Sequence, residues 1–532
     1  MSADALDAPA ARPAINPWVI ALTVTLATFM EVLDTSIANV ALPHMAGSLS
    51  VSVHESTWVL TSYLVANAVI LPLSGWLSSL VGRKRFYLSC VVLFTASSAL
   101  CGMATSIEQL VLFRVLQGLA GGGLQPSEQA ILMDTFPPAK RGMAMAVYTL
   151  AILVAPVLGP TLGGYITENY SWRWIFYINL PVGVISVVLS GLLLQDPPYL
   201  KAQQAARKGQ PFRMDFIGLG MLTIGLASLE LMLDKGQEHD WFDSPFIVWL
   251  CAIAAAALIG TVFWELRHPA PIINLRLFAN RNFSAAAVCV FFAFAVLYGS
   301  NVLLPQLLQT LMGYSALNAG LVLSPAGFVT MLEMPLIGLM LSRGVDARKM
   351  IAAGLAVVGI ASLWTAGLNL GVSPGMVISP RCLQTLGAGL MFVPLNLAAY
   401  AFIPKEQVNN ASGLFSLVRN EGSSIGVALT NTLLQRRTQF HQLRLVEHLH
   451  PLNPLASGWL SSVSSAFQVH GSDPVIGRRQ GLAMMYQVVQ QQAAAVSYLD
   501  VFWVFGVLSF AVIPLVLLMK RSASDGGSIA VH

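Results

Sequence analysis

Apolar residues fall along the chain in blocks of roughly twenty or more, each long enough at about 1.5 Å per helical residue to cross about 30 Å of hydrocarbon. In order the blocks are 18–40, 56–79, 86–105, 108–133, 142–165, 172–194, 214–234, 245–265, 283–308, 317–341, 349–369, 377–402, 410–434 and 499–519. The pattern predicts an all-α integral membrane protein with fourteen transmembrane helices. Pro126, Pro156, Pro160, Pro325, Pro335 and Pro394 lie inside these blocks. Neighbouring helices can satisfy the backbone groups that a buried proline frees, so the helical reading survives them.

Composition and charge narrow the class. The 532 residues are 55% hydrophobic and only 10% charged, which rules out a string of soluble domains. A net charge of +4 is too small to point to nucleic acid. The five cysteines are scattered singly through apolar runs, so neither a disulfide framework nor a thiolate metal site is expected, and no cofactor is implied. The N-terminal tail lacks a basic region and a small-residue cleavage site, so the first helix reads as a retained span. With the N-terminus inside, inside segments hold 19 of the 29 Lys and Arg, whereas the short outside loops hold only Arg173 and Lys235. That asymmetry predicts both termini in the cytoplasm.

A repeat underlies the spans. Asn39-Val-Ala-Leu-Pro43 returns as Asn301-Val-Leu-Leu-Pro305, offset by 262, and Pro72-Leu-Ser-Gly75 returns as Pro335-Leu-Ile-Gly338, offset by 263. Arg114-Val-Leu-Gln117 matches Arg381-Cys-Leu-Gln384, and Phe136-Pro137 matches Ile403-Pro404, both offset by 267. Two six-helix halves of like orientation, with two extra helices between them, account for the pattern. Parallel repeats of this kind occur in transporters that rock one half against the other around a midplane site.

The first span carries two acids. Glu31 and Asp34 are three residues apart and project from nearly one helix face, with Thr35 and Ala38 continuing the stripe. An intramembrane acid is costly against lipid, so both should face the bundle interior, as a functional site or as a paired structural group. Arg114 opens a stripe of polar and small residues, Gln117, Gly118, Gly121, Gln125 and Glu128, in the fourth span. A guanidinium near Asp34 would hold that acid charged until a proton or a substrate competes for it.

Several motifs together resemble the major facilitator superfamily, in its fourteen-helix drug:proton antiporter branch and its Emr-type efflux subunits. They are Leu33 to Pro43, Gly75 to Lys84, Arg114 to Gly118, Ala155 to Gly164 and Trp172 to Pro181. The resemblance implies proton coupling through Asp34, Glu31 and Arg114; the alternative for Arg114 is a structural role capping carbonyls, since Arg381 occupies the repeat position. It implies gating and helix packing through Gly75, Gly82, Arg83, Lys84, Gly159, Pro160, Gly163 and Gly164. Ser79 stands where the family usually has an acid, which removes part of its usual charge relay, and Ala155 replaces a usual glycine. Substrate-binding candidates are Gln117, Gln125, Glu128, Asn179, Tyr298, Asn396 and Arg419. Glu333 is open between a second protonation site and a structural acid. Arg419 and Glu421 are two residues apart and point away from each other. The 20 Met and 25 Phe offer material for a forgiving pocket.

The expected organisation is a cytoplasmic tail 1–16, a six-helix bundle 17–195, a cytoplasmic linker 196–213 and two extra helices 214–265. Then come five helices of the second bundle 266–434, a long periplasmic loop 435–498, the last helix 499–519 and a tail 520–532. His441, His448 and His450 in the loop are too unevenly spaced for a metal site, and residues 480–496 read as an amphipathic helix on the outer face. The resemblance implies proton-coupled efflux of lipophilic small molecules across a bacterial inner membrane. It also implies partners: a periplasmic membrane-fusion adaptor that docks on this loop, and an outer-membrane channel. A dedicated transporter of one metabolite or siderophore, and a non-transporting scaffold or receptor, are the competing readings. No HExxH or Walker A pattern supports an enzyme.

Overall fold

The computed structural model describes residues 16–520 apart from 198, 202–214, 270, 370, 372, 451 and 471. Arg12, most of the expected linker 196–213 and the tail beyond Lys520 lie outside the described residues. Helix α1 (Pro17–Leu49) starts behind Asn16, whose side chain accepts from the Trp18 amide at 3.0 Å, with Pro17 in its first turn. Gly82 joins α2 (Trp58–Val81) to α3 (Arg83–Met103) at φ 101°, a conformation open to glycine and strained for other residues.

The fourth expected span is two helices, α4 (Ile107–Gly121) and α5 (Leu124–Thr135), broken at Gly121-Gly122-Gly123. Glycine is the poorest helix former after proline, and a run of three interrupts the helix. These glycines also let α2 come close: a Cβ on Gly122 would lie 2.6 Å from the Asn67 carbonyl oxygen. Helix α6 (Pro138–Asn169) follows, then a turn at Trp174–Tyr177 and α7 (Asn179–Leu193). The extra helices are α8 (Phe216–Lys235) and α9 (Pro245–Arg267). The second half holds α10 (Arg281–Gln306), α11 (Ala316–Ser342), α12 (Ala347–Ala366), α13 (Pro374–Tyr400) and α14 (Val408–Val446). It ends with α15 (Pro454–Val469) and α16 (Pro474–Val516).

Among the described residues, twelve helical stretches are long and apolar enough to cross a membrane. The other two expected spans are helical but fall short, the fourth through its glycine break and the thirteenth, within α14, through polarity. The polarity of α14 faces inward: Asn409, Arg419 and Glu421 are buried. Most of the described residues in the expected loop 435–498 are helical. Helix α14 runs on to Val446, and α16 is continuous from Pro474 through the last crossing, so the amphipathic stretch 480–496 and the last span form one rod. The boundary expected at 498/499 therefore falls inside a helix. Arg437 Nε and His441 Nε2 each lie 2.7 Å from Asp500, tying the two long helices together where they leave the bundle.

The two halves are packed alike. Helix α1 lies on α6 as α10 lies on α14, and α2 on α4 and α5 as α11 on α13. Helices α3 and α7 pair as α12 and α16 do. The halves meet along two seams, α2 against α14 and α6 against α11, and α8 packs on both α2 and α14. At its far end α8 is hooked to α2: Thr61 donates to Asp234, and Lys235 Nζ donates to Thr57 at 2.6 Å. The outer surface is apolar, with Trp249, Ile259 and Phe263 of α9 exposed, as lipid contact requires.

The first and last described residues lie at one end of the bundle, here called the near face. Trp18 packs edge-on against Phe136 at 4.9 Å, and the Lys520 amide donates to Asn282 at 2.7 Å. The seams are closed there. Gly75 lies against Asn410, Asn409 donates to Ser78 at 3.1 Å, Ser412 donates to the Pro126 carbonyl at 2.9 Å, and Gly338 sits on Met143.

Four of the packing glycines have distinct settings. A Cβ on Gly159 would collide with Ser36 of α1, and one on Gly163 would touch Ile37, whereas Gly164 has nothing within 4 Å. Gly75 permits the near-face seam with Asn410, as above. Gly159→Val should destabilise the protein by about 1–3 kcal/mol through overpacking, seen as a lower melting temperature in detergent. Gly164→Ala should leave that temperature unchanged or slightly raised, since alanine is the better helix former.

Candidate functional site

The acids of α1 sit in two adjoining buried networks. Asp34 is 2% exposed and Arg114 is fully buried. Arg114 Nη1 donates to Asp34 Oδ2 at 2.6 Å and to Gln117 Oε1 at 2.9 Å, and its Nε donates to the Val59 carbonyl at 3.0 Å. Asp34 Oδ1 accepts from Gln117 Nε2 at 3.0 Å and from Asn179 Nδ2 at 2.6 Å. Asn179 also donates to Ser98, and the guanidinium lies 4.2 Å over the Tyr63 ring. Every partner belongs to the first half. Arg114 Nη2 is left without a hydrogen bond among the described residues, so the pair leans on the contacts it has, and removing one partner of so deep a pair costs about 3–5 kcal/mol.

Glu31, one turn nearer the chain ends, opens the second network. Its Oε1 accepts from Tyr63 at 3.2 Å and Asn67 at 3.3 Å, and its Oε2 accepts from Gln125 Nε2 at 2.6 Å. The Gln125 carbonyl accepts from Arg419 of α14, whose Nη1 donates to the Tyr148 hydroxyl at 2.7 Å. Gln129 donates to Tyr148 at 2.5 Å and accepts from Tyr400 of α13. The polar path from Glu31 to Tyr400 thus crosses from the first half to the second. Arg419 has no carboxylate in direct contact among the described residues; its charge is balanced by Glu31 one amide away. Phe294 lies beneath its guanidinium at 5.4 Å, and Tyr298 stacks on Phe294.

The other expected residues divide. Glu128 accepts from Thr25 at 2.6 Å and bonds α5 to α1, beside the Glu31 network. Among the described residues Asn396 donates to the Phe392 carbonyl of its own helix alone, at 2.8 Å, and does not join it. Glu333 is buried against Gly389 of α13, with neither carboxyl oxygen hydrogen-bonded among the described residues. Pro160 interrupts α6, where Ser36 donates to the Pro156 carbonyl at 3.2 Å. Arg419 and Glu421 do point apart: Glu421 turns to α8, where its carboxyl lies against that of Glu230, itself bonded to Ser424 at 3.1 Å.

The near-face motif has found another acid. Arg83 pairs with Asp134 at the end of α5, donates to the Ala130 carbonyl at 3.2 Å and donates to Tyr199 at 2.7 Å. Tyr199 donates on to Asp134 at 2.7 Å, and burial pushes its hydroxyl up to about 12. Lys84 Nζ caps the Gly191 carbonyl at 2.6 Å. Ser79 donates to the Trp76 carbonyl at 2.8 Å.

Sequence reasoning passed over Gln129, Tyr148, Tyr400, Asp134 and Glu230. Gln129 lies one turn beyond Gln125 on the same stripe, and Glu230 is an acid inside an apolar block, so both carried a signal. The tyrosines carried none.

Residues 24–427 match the family model described as Major Facilitator Superfamily. The chain is 35% identical over 514 residues to the multidrug export protein EmrB of Escherichia coli K12, covering 96% of each chain. It is 36% identical over 522 residues to the fatty acid resistance protein FarB of Neisseria gonorrhoeae, covering 98% of this chain and 99% of that one. Among solved structures, the human organic anion transporter MFSD10 aligns with a TM-score of 0.59 at 15% identity, over 94% of this chain and 100% of that one, a likeness of fold alone. The chain therefore belongs to the major facilitator superfamily, a family of membrane transporters and not of enzymes, in the group that holds EmrB and FarB.

Proposed function

We propose that the protein exports lipophilic toxic small molecules across a bacterial inner membrane in exchange for protons, by alternating access. All fourteen expected helices cross the bilayer, and the near face with both chain ends is cytoplasmic. The observation that carries this reading is the polar path from Glu31 through Gln125, Arg419, Tyr148 and Gln129 to Tyr400, because it joins the two halves beside a sealed ion pair. The names of the relatives, one for multidrug export and one for fatty acid resistance, support the substrate class.

The chemistry follows from where each group is held. A proton on Asp34 removes the charge that fixes Arg114 and turns one acceptor oxygen into a donor, which disrupts the contact with the guanidinium. Arg114 and Gln117 belong to α4, while Gln125 and Glu128 belong to α5. The glycine break lets one segment shift without dragging the other through a rigid helix. A substrate that displaces Gln125 or Tyr148 from Arg419 loosens the tie between the halves. Proton and substrate thus bias one two-state element from opposite sides. The hairpin of α14, α15 and α16 extends from the far face, and we take it as the docking site for a membrane-fusion adaptor leading to an outer-membrane channel.

Asp34→Asn, close in size to the native side chain, should abolish pH-gradient-driven uphill efflux in proteoliposomes, leaving it at the level of empty liposomes while the protein still purifies as a folded monodisperse species. Uphill efflux at the native rate would remove Asp34 from the mechanism. Orientation is tested with single cysteines in a cysteine-free background, both at exposed positions. A membrane-impermeant maleimide should label Val475→Cys once the outer membrane is opened, and Lys140→Cys only after the inner membrane is broken; the reverse pattern would invert the assigned topology.

A further inference from the structure

Each half buries one arginine at a matching place, and only one of them has its counter-charge. In the first half Arg114 is neutralised by Asp34 at 2.6 Å. In the second, Arg381 of α13 is 6% exposed. Its Nη1 donates to Gln384 at 2.6 Å, as Arg114 Nη1 donates to Gln117, and its Nη2 donates to Asn301. Gln384 donates in turn to Ser300 at 2.9 Å. The Nε of Arg381 has no partner, and no carboxylate pairs with the guanidinium among the described residues. The offset of 262 that carries Asn39 to Asn301 carries Asp34 to Val296, so a valine stands in register where the acid would be.

Neutral amides and a hydroxyl orient a guanidinium without cancelling its charge, and arginine does not shed its proton to escape burial. A buried charge of this kind calls for an anion. One helical turn further out is a place for the rest of such a molecule, although Arg381 itself does not line it. Pro374 and Ile378 of α13, with Tyr314 and with Asn318, Leu321 and Val322 of α11, line a cleft of about 350 Å³ on the far-face side. Ile378 lies three residues before Arg381 and so on the same helix face, one turn further out. The cleft walls are mostly apolar, and its volume is near the lower end of the roughly 300–1,000 Å³ typical of small-molecule sites.

We infer that Arg381 receives the anionic head of an amphiphilic organic acid, whose hydrocarbon tail lies in this cleft. The missing acid of the second half is supplied by the ligand. Asn301 and Gln384 aim the guanidinium, and the two halves treat charge differently: the first binds a proton on its own carboxylate, the second binds a carboxylate from outside. As a substrate subsite this rests on the export reading above, but the binding itself does not require transport.

The test is equilibrium binding to the full-length protein in nanodiscs of zwitterionic lipid, followed by calorimetry at neutral pH, with decanoate and decan-1-ol as chain-matched probes. Decanoate should bind at least about tenfold more tightly than the alcohol, the usual scale of a charge-assisted hydrogen bond. Arg381→Gln should erase that preference and keep alcohol binding, while Arg381→Lys retains part of it. Absence of a preference in the native protein, or its survival in Arg381→Gln, overturns the proposal. Should the glutamine variant fail to fold, the native preference and its reduction in the lysine variant decide. A third arm adds phosphatidylglycerol: loss of the decanoate preference there would make a lipid headgroup the occupant and sink the substrate assignment. Failure of the native protein to export any probe would defeat the export reading while leaving this binding measurement to stand or fall by itself.

Discussion

A charge withdrawn from water into a bundle of apolar helices must find its opposite, or a full set of hydrogen bonds, within a few ångströms. That demand arranges the interior of this protein. Asp34 and Arg114 satisfy it within the first half, where two further donors, Gln117 and Asn179, and a tyrosine ring close around them. Arg419 satisfies it only across the boundary, through Gln125 to Glu31. One charge pair therefore stabilises a half, and the other depends on the two halves being together. A transporter needs both kinds of contact, since the halves must stay rigid while the boundary between them opens.

The pair of helices α4 and α5 stands between these two contacts. Helix α4 carries Arg114 and Gln117, α5 carries Gln125 and Glu128, and three glycines mark the break between them. Their small size also brings α2 close enough for Tyr63 and Asn67 to reach Glu31. One local choice of residue thus sets a flexible joint, a close helix contact and the donors to an intramembrane acid.

Much of this was legible beforehand because buried charge is rare in membrane spans. Glu31, Asp34, Arg114 and Arg419 stand out against apolar blocks, and their spacing on the helix gave the face they share. The neutral members of the network did not stand out. Tyr148 and Tyr400 look like any other aromatic residue until a guanidinium or an amide is seen to lie beside them. Arg83 was readable as a near-face cation, but its partner Asp134 lies 51 positions away and belongs to no local motif. Within 435–498 only 480–496 read as a helix, because the rest of the segment is mixed in character and its helices carry too many polar residues to form an apolar block. Its helical character emerges from the pairing of α14 with α16 around Asp500.

The length of α16 has a mechanical meaning. The helix is 43 residues long, about 65 Å at the usual rise, and between Gly481 and Gly506 it contains neither glycine nor proline. Such a rod has no joint at the membrane surface. Any tilt imposed on its outer end is delivered to the final crossing as the same tilt, and any rocking of the second half swings the outer end through a larger arc. The projecting hairpin is therefore geared to the bundle, and whatever grips it feels each turnover as a displacement.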